Sequence, residues 1–173
     1  MAMKRRKVMA LDSDVVTDQQ KKLVDDIIYL RGRIITSYSQ VEFLLADIAV
    51  KLELKFPYRI EARLKAAKRI AEREGYESYK AELEEICDAL VQFDDIRKYM
   101  AHGWANLEVD KQGNHRFELR MYERTGEGQF ELMSAASTRE RLLDAANDIN
   151  AYTAKVINLF HRIYLEKGLE KPE

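Results

Sequence analysis

The residues best suited to chemistry lie together in one short stretch, Asp94-Asp95-Ile96-Arg97-Lys98-Tyr99-Met100-Ala101-His102-Gly103-Trp104. Arg97 and His102 enclose four residues. An arginine presents a planar, permanently charged fork that matches phosphate oxygens. A histidine side chain ordinarily titrates near neutrality, so it can take up a proton and return it. Together they form a minimal kit for cleaving a phosphodiester without a metal. Residues five apart on an ideal helix diverge by about 140°. The two side chains therefore converge only if the helix unwinds at Ala101-His102, or if two copies of the chain meet and share residues.

Several neighbours are auxiliary candidates. Lys98 and Tyr99 lie between the pair, and Glu42 sits at the edge of an apolar stripe beside Tyr38 and Leu45, from where it could orient the arginine or the histidine. A structural account competes for each. Arg97 could simply pair with Asp94 or a nearby carboxylate. His102 could be favoured as a cation near a helix C-terminus, worth ~0.3–1 kcal/mol. Glu42 could be an edge-of-core glutamate with a surface partner. Asp94 and Asp95 lack His or Cys at ligand spacing and read as a solvated helix face, so no metal or other cofactor is expected. Arg59, Arg63, Lys65, Lys68, Arg69 and Arg73 make one segment locally basic, but Glu61, Glu72 and Glu74 interleave with them and favour a self-paired face. Cys87, the single cysteine, reads as a small core hydrophobe. Glycine-rich nucleotide loops, HExxH and CxxC are absent, which argues against a kinase, a dehydrogenase or a zinc enzyme.

Length and composition bound the scaffold that must hold these residues. A chain of 173 residues fits one domain with a substantial core. Gly and Pro number only 7 and 2, so helix breakers are few and long helices are favoured. The net charge of −1 provides no overall basic field, and any nucleic-acid site must be a local patch. No apolar run is long enough to cross a membrane, and the N-terminal MAMKRRKVMA lacks the apolar core of a signal peptide, so a cytoplasmic protein without a membrane partner is expected.

The periodicity then lays out the elements. Residues 1–16 read as a flexible arm, and 17–168 as a single helical domain. Thr17 with Gln20 forms a capping-box signature for a first helix running to Phe56-Pro57, about 55 Å long, with Ile27, Ile34, Val41 and Ile48 recurring every seven residues. A second helix is expected over Tyr58 to Glu74 with Gly75 as its stop, and a third from Ser78 to Met100. The period changes to two after His102-Gly103, giving a β-hairpin at about 105–133 with a short third strand at Gln129 to Met133. Trp104 is expected to pack over the hairpin base with its indole N–H bonded. Ser137 and Glu140 should cap a long last helix through Leu142, Ile149, Val156 and Ile163. The fold class is mainly all-α: a four-to-five-helix bundle with long first and last helices and a small hairpin inserted before the last.

Arg97-x4-His102, followed at once by Gly103, resembles the signature of the HEPN superfamily of helical domains found in ribonuclease and nucleotide-associated proteins. The layout is similar over roughly residues 20 to 165, including the stretch Tyr38-Ser39-Gln40-Val41-Glu42-Phe43-Leu44-Leu45 on the first helix. Lys98 stands where that family often carries Asn, and Trp104 where a nucleotidylated branch carries Tyr. The resemblance implies a metal-independent endoribonuclease acting on RNA as a homodimer, with Arg97 and His102 of both copies composing the site. It also implies a toxin or phage-defence setting with a cognate antitoxin or nucleotidyltransferase as partner. The alternative is a non-catalytic interaction or nucleotide-binding module that partners one of those proteins.

Overall fold

The computed structural model describes residues 17–55, 57, 59–110 and 112–170, and the arm expected over 1–16 lies outside them. The chain is mainly helical, with five α-helices and one three-stranded antiparallel sheet among the described residues. The helices are α1 (Asp18–Lys51), α2 (Ile60–Lys68), α3 (Lys80–Val91), α4 (Asp94–His102) and α5 (Arg139–Glu166). The strands are β1 (Trp104–Val109), β2 (His115–Gly126) and β3 (Gln129–Ser137), in that spatial order. No helix among the described residues is long and apolar enough to cross a membrane.

Helix α1 starts where the capping box predicts. The Thr17 hydroxyl accepts from the Gln20 N–H at 3.2 Å, and the Gln20 side chain accepts from the Thr17 N–H at 2.9 Å. The helix stops at Lys51, short of the expected Phe56-Pro57. The cause is a left-handed residue, Glu53 at φ 55. Its N–H bonds to the Val50 carbonyl at 3.1 Å, and the Leu54 N–H reaches back to the Ala49 carbonyl at 2.8 Å. These two bonds form a Schellman-type stop, with glutamate in the slot usually held by glycine.

The expected second helix is shorter than Tyr58 to Glu74: α2 gives way to a 3-10 turn at Arg69–Glu72. Gly75, at φ 81, still turns the chain.

The expected third helix is two helices. Gln92 and Phe93 donate to carbonyls three residues back, Ala89 at 3.1 Å and Leu90 at 3.0 Å, which tightens the backbone between α3 and α4. Phe93 stacks on Tyr152 of α5, with ring centroids 5.2 Å apart, and holds the corner there. As a result α3 packs on α2 and α5, while α4 turns to pack on α1 and β2.

The core lies chiefly between α1 and α5. Ile27, Leu30, Ile34, Val41 and Ile48 meet Leu142, Ile149, Val156 and Ile163, all buried. The buried Thr153 hydroxyl donates to the Ile149 carbonyl of its own helix at 2.8 Å and lies 3.2 Å from the Ser37 carbonyl of α1. The last helix is capped by Thr138, which accepts from the Arg141 N–H at 3.3 Å, one residue later than the expected Ser137 cap. Phe117 and Leu119 of β2 face this core, and the sheet extends beyond the expected hairpin because β3 runs four residues past Met133, to Ser137.

Candidate functional site

Helix α4 carries both sequence candidates. It stays helical through His102, so it does not unwind at Ala101-His102. The geometry at its end is set by Gly103: a Cβ there would fall 2.4 Å from the Tyr99 carbonyl oxygen and 3.3 Å from that of Arg120. Only glycine lets the chain leave the helix and enter β1 at once. The Gly103 N–H closes the last turn on Tyr99 at 2.9 Å. Arg97 and His102 therefore keep their helical divergence and enter different surroundings.

Arg97 belongs to a charged cluster between α1, α4 and the sheet. Its guanidinium donates to Asp94 Oδ1 at 2.7 Å and lies 5.1 Å from the centroid of the Tyr38 ring. The Tyr38 hydroxyl donates to the same carboxylate oxygen at 3.3 Å. Lys98 Nζ sits 2.9 Å from Asp94 Oδ2 and 3.8 Å from Glu123 on β2. Burial works against charge on Asp94, but hydrogen bonds from Arg97 and Lys98 outweigh it and hold the carboxyl below the usual range. Burial also opposes charge on Arg97, and the Asp94 contact more than restores it. The Tyr38 hydroxyl is pushed well up, first by burial and then by the Asp94 charge. One donor is left over: Arg97 Nε is buried and has no hydrogen-bond partner among the described residues. Asp94, expected on a solvated face, is instead the hub of this cluster, with a side chain only 18% exposed. Asp95 does stand in solvent.

Glu42 does not contact Arg97 or His102 through a hydrogen bond. It accepts from Arg63 of α2 at 2.9 Å. Tyr99 packs its side chain at the core margin. The basic α2 segment is mostly committed, with Lys68 on Asp88 at 2.6 Å and Arg69 on Glu72 at 3.1 Å.

His102 faces elsewhere. It is exposed and lines a groove of about 400 Å³ between the first turns of α1 and the start of β1. Val24, Ile28, Leu107 and Phe117 give the groove apolar walls. Arg31 enters from α1 and donates to the Ala101 carbonyl at 3.2 Å, which fixes its guanidinium beside the end of α4. Trp104 forms part of the rim. It is 58% exposed, and among the described residues its indole N–H has no acceptor. The expected packing of Trp104 over the hairpin base is thus not realised, because β1 turns that side chain outward opposite Arg120. Among the described residues no carboxylate lines this groove, and Arg31 is the one permanently charged residue in its wall.

Arg31 and Trp104 are the residues that sequence reasoning missed as site components. Arg31 lies 70 positions from Ala101 and only the α1–α4 packing joins them. No family model matches the chain, and no curated protein or solved structure is significantly similar to it.

Proposed function

We propose that the protein is a homodimeric endoribonuclease of the HEPN type, a bundle of four to five helices that cleaves RNA without a metal in the cytoplasm. The observation that carries this reading is His102, exposed at the end of α4 in a groove whose wall, among the described residues, contains a cation and no carboxylate. Such a groove accepts a phosphodiester, and the imidazole can move the protons its cleavage requires. In the reaction, the ribose 2′-oxygen bonds to phosphorus while the bond from phosphorus to the 5′-oxygen breaks. His102 of one copy takes the 2′-hydroxyl proton, and His102 of the second copy supplies a proton to the leaving oxygen. The products carry 2′,3′-cyclic phosphate and 5′-hydroxyl ends. The 2′-hydroxyl requirement makes RNA the substrate.

Arg97 would stabilise the extra phosphate charge in the composite site. Its release from Asp94 leaves that carboxylate still paired with Lys98, and its Nε already lacks an acceptor among the described residues. Support for a dimer comes from α1. Ile28, Tyr29 and Phe43 are exposed along one side of it, Phe43 by 67%, next to the exposed Ile157 of α5. Grooves sharing Ile28, Thr36 and Gln40 join this face to the one at His102. A toxin or defence effector held in check by an antitoxin or nucleotidyltransferase is the biological setting that fits.

A second reading is favoured by one contact. Arg97 is already neutralised by Asp94, as in an interaction or nucleotide-binding module that keeps the motif for folding. Incubating the purified protein with structured and single-stranded RNA, with and without EDTA, separates the two. Cleavage insensitive to EDTA with cyclic-phosphate ends supports the enzyme, and intact RNA throughout supports the module.

A further inference from the structure

Resting on the reading of His102 as an RNA-handling residue, we propose that its groove is a nucleotide subsite in which Trp104 stacks on an unpaired base and Arg31 holds the adjoining phosphate. The RNA engaged there is single-stranded or looped at the bound nucleotide.

Three features of the groove converge on this ligand. Its volume of about 400 Å³ lies within the range of small-ligand sites, and its walls are mostly apolar. Its charge is one-sided among the described residues: Arg31 contributes a guanidinium that is positioned by Ala101, and no carboxylate lines the groove. An anion is accommodated there without like-charge repulsion. At the rim, Trp104 leaves an aromatic surface in solvent that burial would favour covering. The neighbouring Arg120 lies 5.9 Å from the Trp104 ring but is already paired with Glu118 at 2.6 Å, so Arg31 is the cation left to meet a phosphate.

An aromatic face, a fixed guanidinium and an apolar floor fit a base attached to a phosphate. A base can stack on a side chain only when it is out of its helix, because duplex bases already stack on one another. The subsite thus selects unpaired nucleotides whatever their sequence, since every base has a π-face. It needs no 2′-hydroxyl, so DNA of the same form should bind although it cannot be cleaved.

Trp104 is the single tryptophan of the chain, so its fluorescence reports this groove alone. The protein is titrated with single-stranded hexadeoxyadenylate and with a DNA hairpin whose long stem keeps its bases paired. Saturable quenching by the single strand, with at least tenfold weaker binding of the hairpin, is expected. Anisotropy of labelled hexadeoxyadenylate then compares variants. Trp104→Ala should weaken binding on the order of tenfold, Trp104→Phe should retain most of it, and Arg31→Gln should weaken it while flattening its salt dependence. Trp104 is 58% exposed, and circular dichroism on its variants checks the fold, so they test the subsite even if Arg31→Gln disturbs α4. Absence of quenching by the single strand, or unchanged affinity in Trp104→Ala, overturns the subsite. Quenching by the oligomer without RNA cleavage would keep the subsite and sink the ribonuclease reading. Cleavage lost in His102→Ala, with oligomer affinity untouched by Trp104→Ala, would do the reverse.

Discussion

Arg97 donates to Asp94 at 2.7 Å across a single turn of α4, and Lys98 approaches the other oxygen of the same carboxylate at 2.9 Å. Two cations thus share one partly buried anion, and the Tyr38 hydroxyl adds a third donor. This arrangement fixes α4 against α1. It also means that Arg97 can exchange its partner for a phosphate without stranding a bare carboxylate, whereas loss of Asp94 takes from Arg97 the carboxylate it donates to and leaves Lys98 only the longer contacts to Glu123 at 3.8 Å and Asp95 at 3.9 Å.

Asp94→Asn should therefore destabilise the fold by about 1–3 kcal/mol at neutral pH. The folded-state carboxyl titrates below its ordinary value of about 3.9. A group depressed in this way contributes stability above its unfolded value, and the contribution fades as pH falls through the folded one. Urea unfolding of wild type and variant should show the gap at pH 7 shrinking below about pH 4. A gap that holds constant into acid would show that the ionised carboxylate is not what stabilises the cluster.

Gly103→Ala tests the junction between α4 and β1. The added Cβ meets a backbone carbonyl rather than a yielding side chain, so overpacking should cost about 1–3 kcal/mol. Thermal unfolding should show a fall in Tm of several degrees. A neutral substitution would mean the junction relaxes freely, and that the orientation of His102 is not fixed by it.

The exposed side of α1 makes a prediction about assembly. Phe43→Asp places a charge in the proposed contact between copies and should shift the protein toward monomer at micromolar concentration, with helicity unchanged by circular dichroism. Sedimentation of the unaltered chain as a monomer in the same range would contradict the homodimer directly.

The long helices were legible because their signals are local. The capping box at Thr17 and the seven-residue spacing of Ile27, Ile34, Val41 and Ile48 need only neighbouring residues to be read. The break at Gln92-Phe93 was not, since both residues suit a helix and the corner is held by Tyr152 on a distant element. Glu53 hid the end of α1 for a related reason: a left-handed stop without glycine leaves no mark in composition. At the candidate site, the 140° divergence of Arg97 and His102 followed from helical geometry alone. What each side chain would meet depended on tertiary packing. Packing takes Asp94 off the solvated face expected for it, leaves Trp104 exposed and not packed over the hairpin base, and brings Arg31 to the end of α4.

The most direct test is the rate of RNA cleavage by the purified protein beside His102→Ala and Arg97→Ala, with circular dichroism on the same samples. His102 stands exposed at a helix end, so its removal should leave the fold intact and lower cleavage by about 10²–10⁴-fold. Arg97→Ala should cost at least as much, and Arg97→Lys should rescue only part, because a point charge cannot reproduce a two-toothed contact. Unaltered protein that leaves every RNA intact, or a folded His102→Ala variant that cleaves at the unaltered rate, would contradict the assignment.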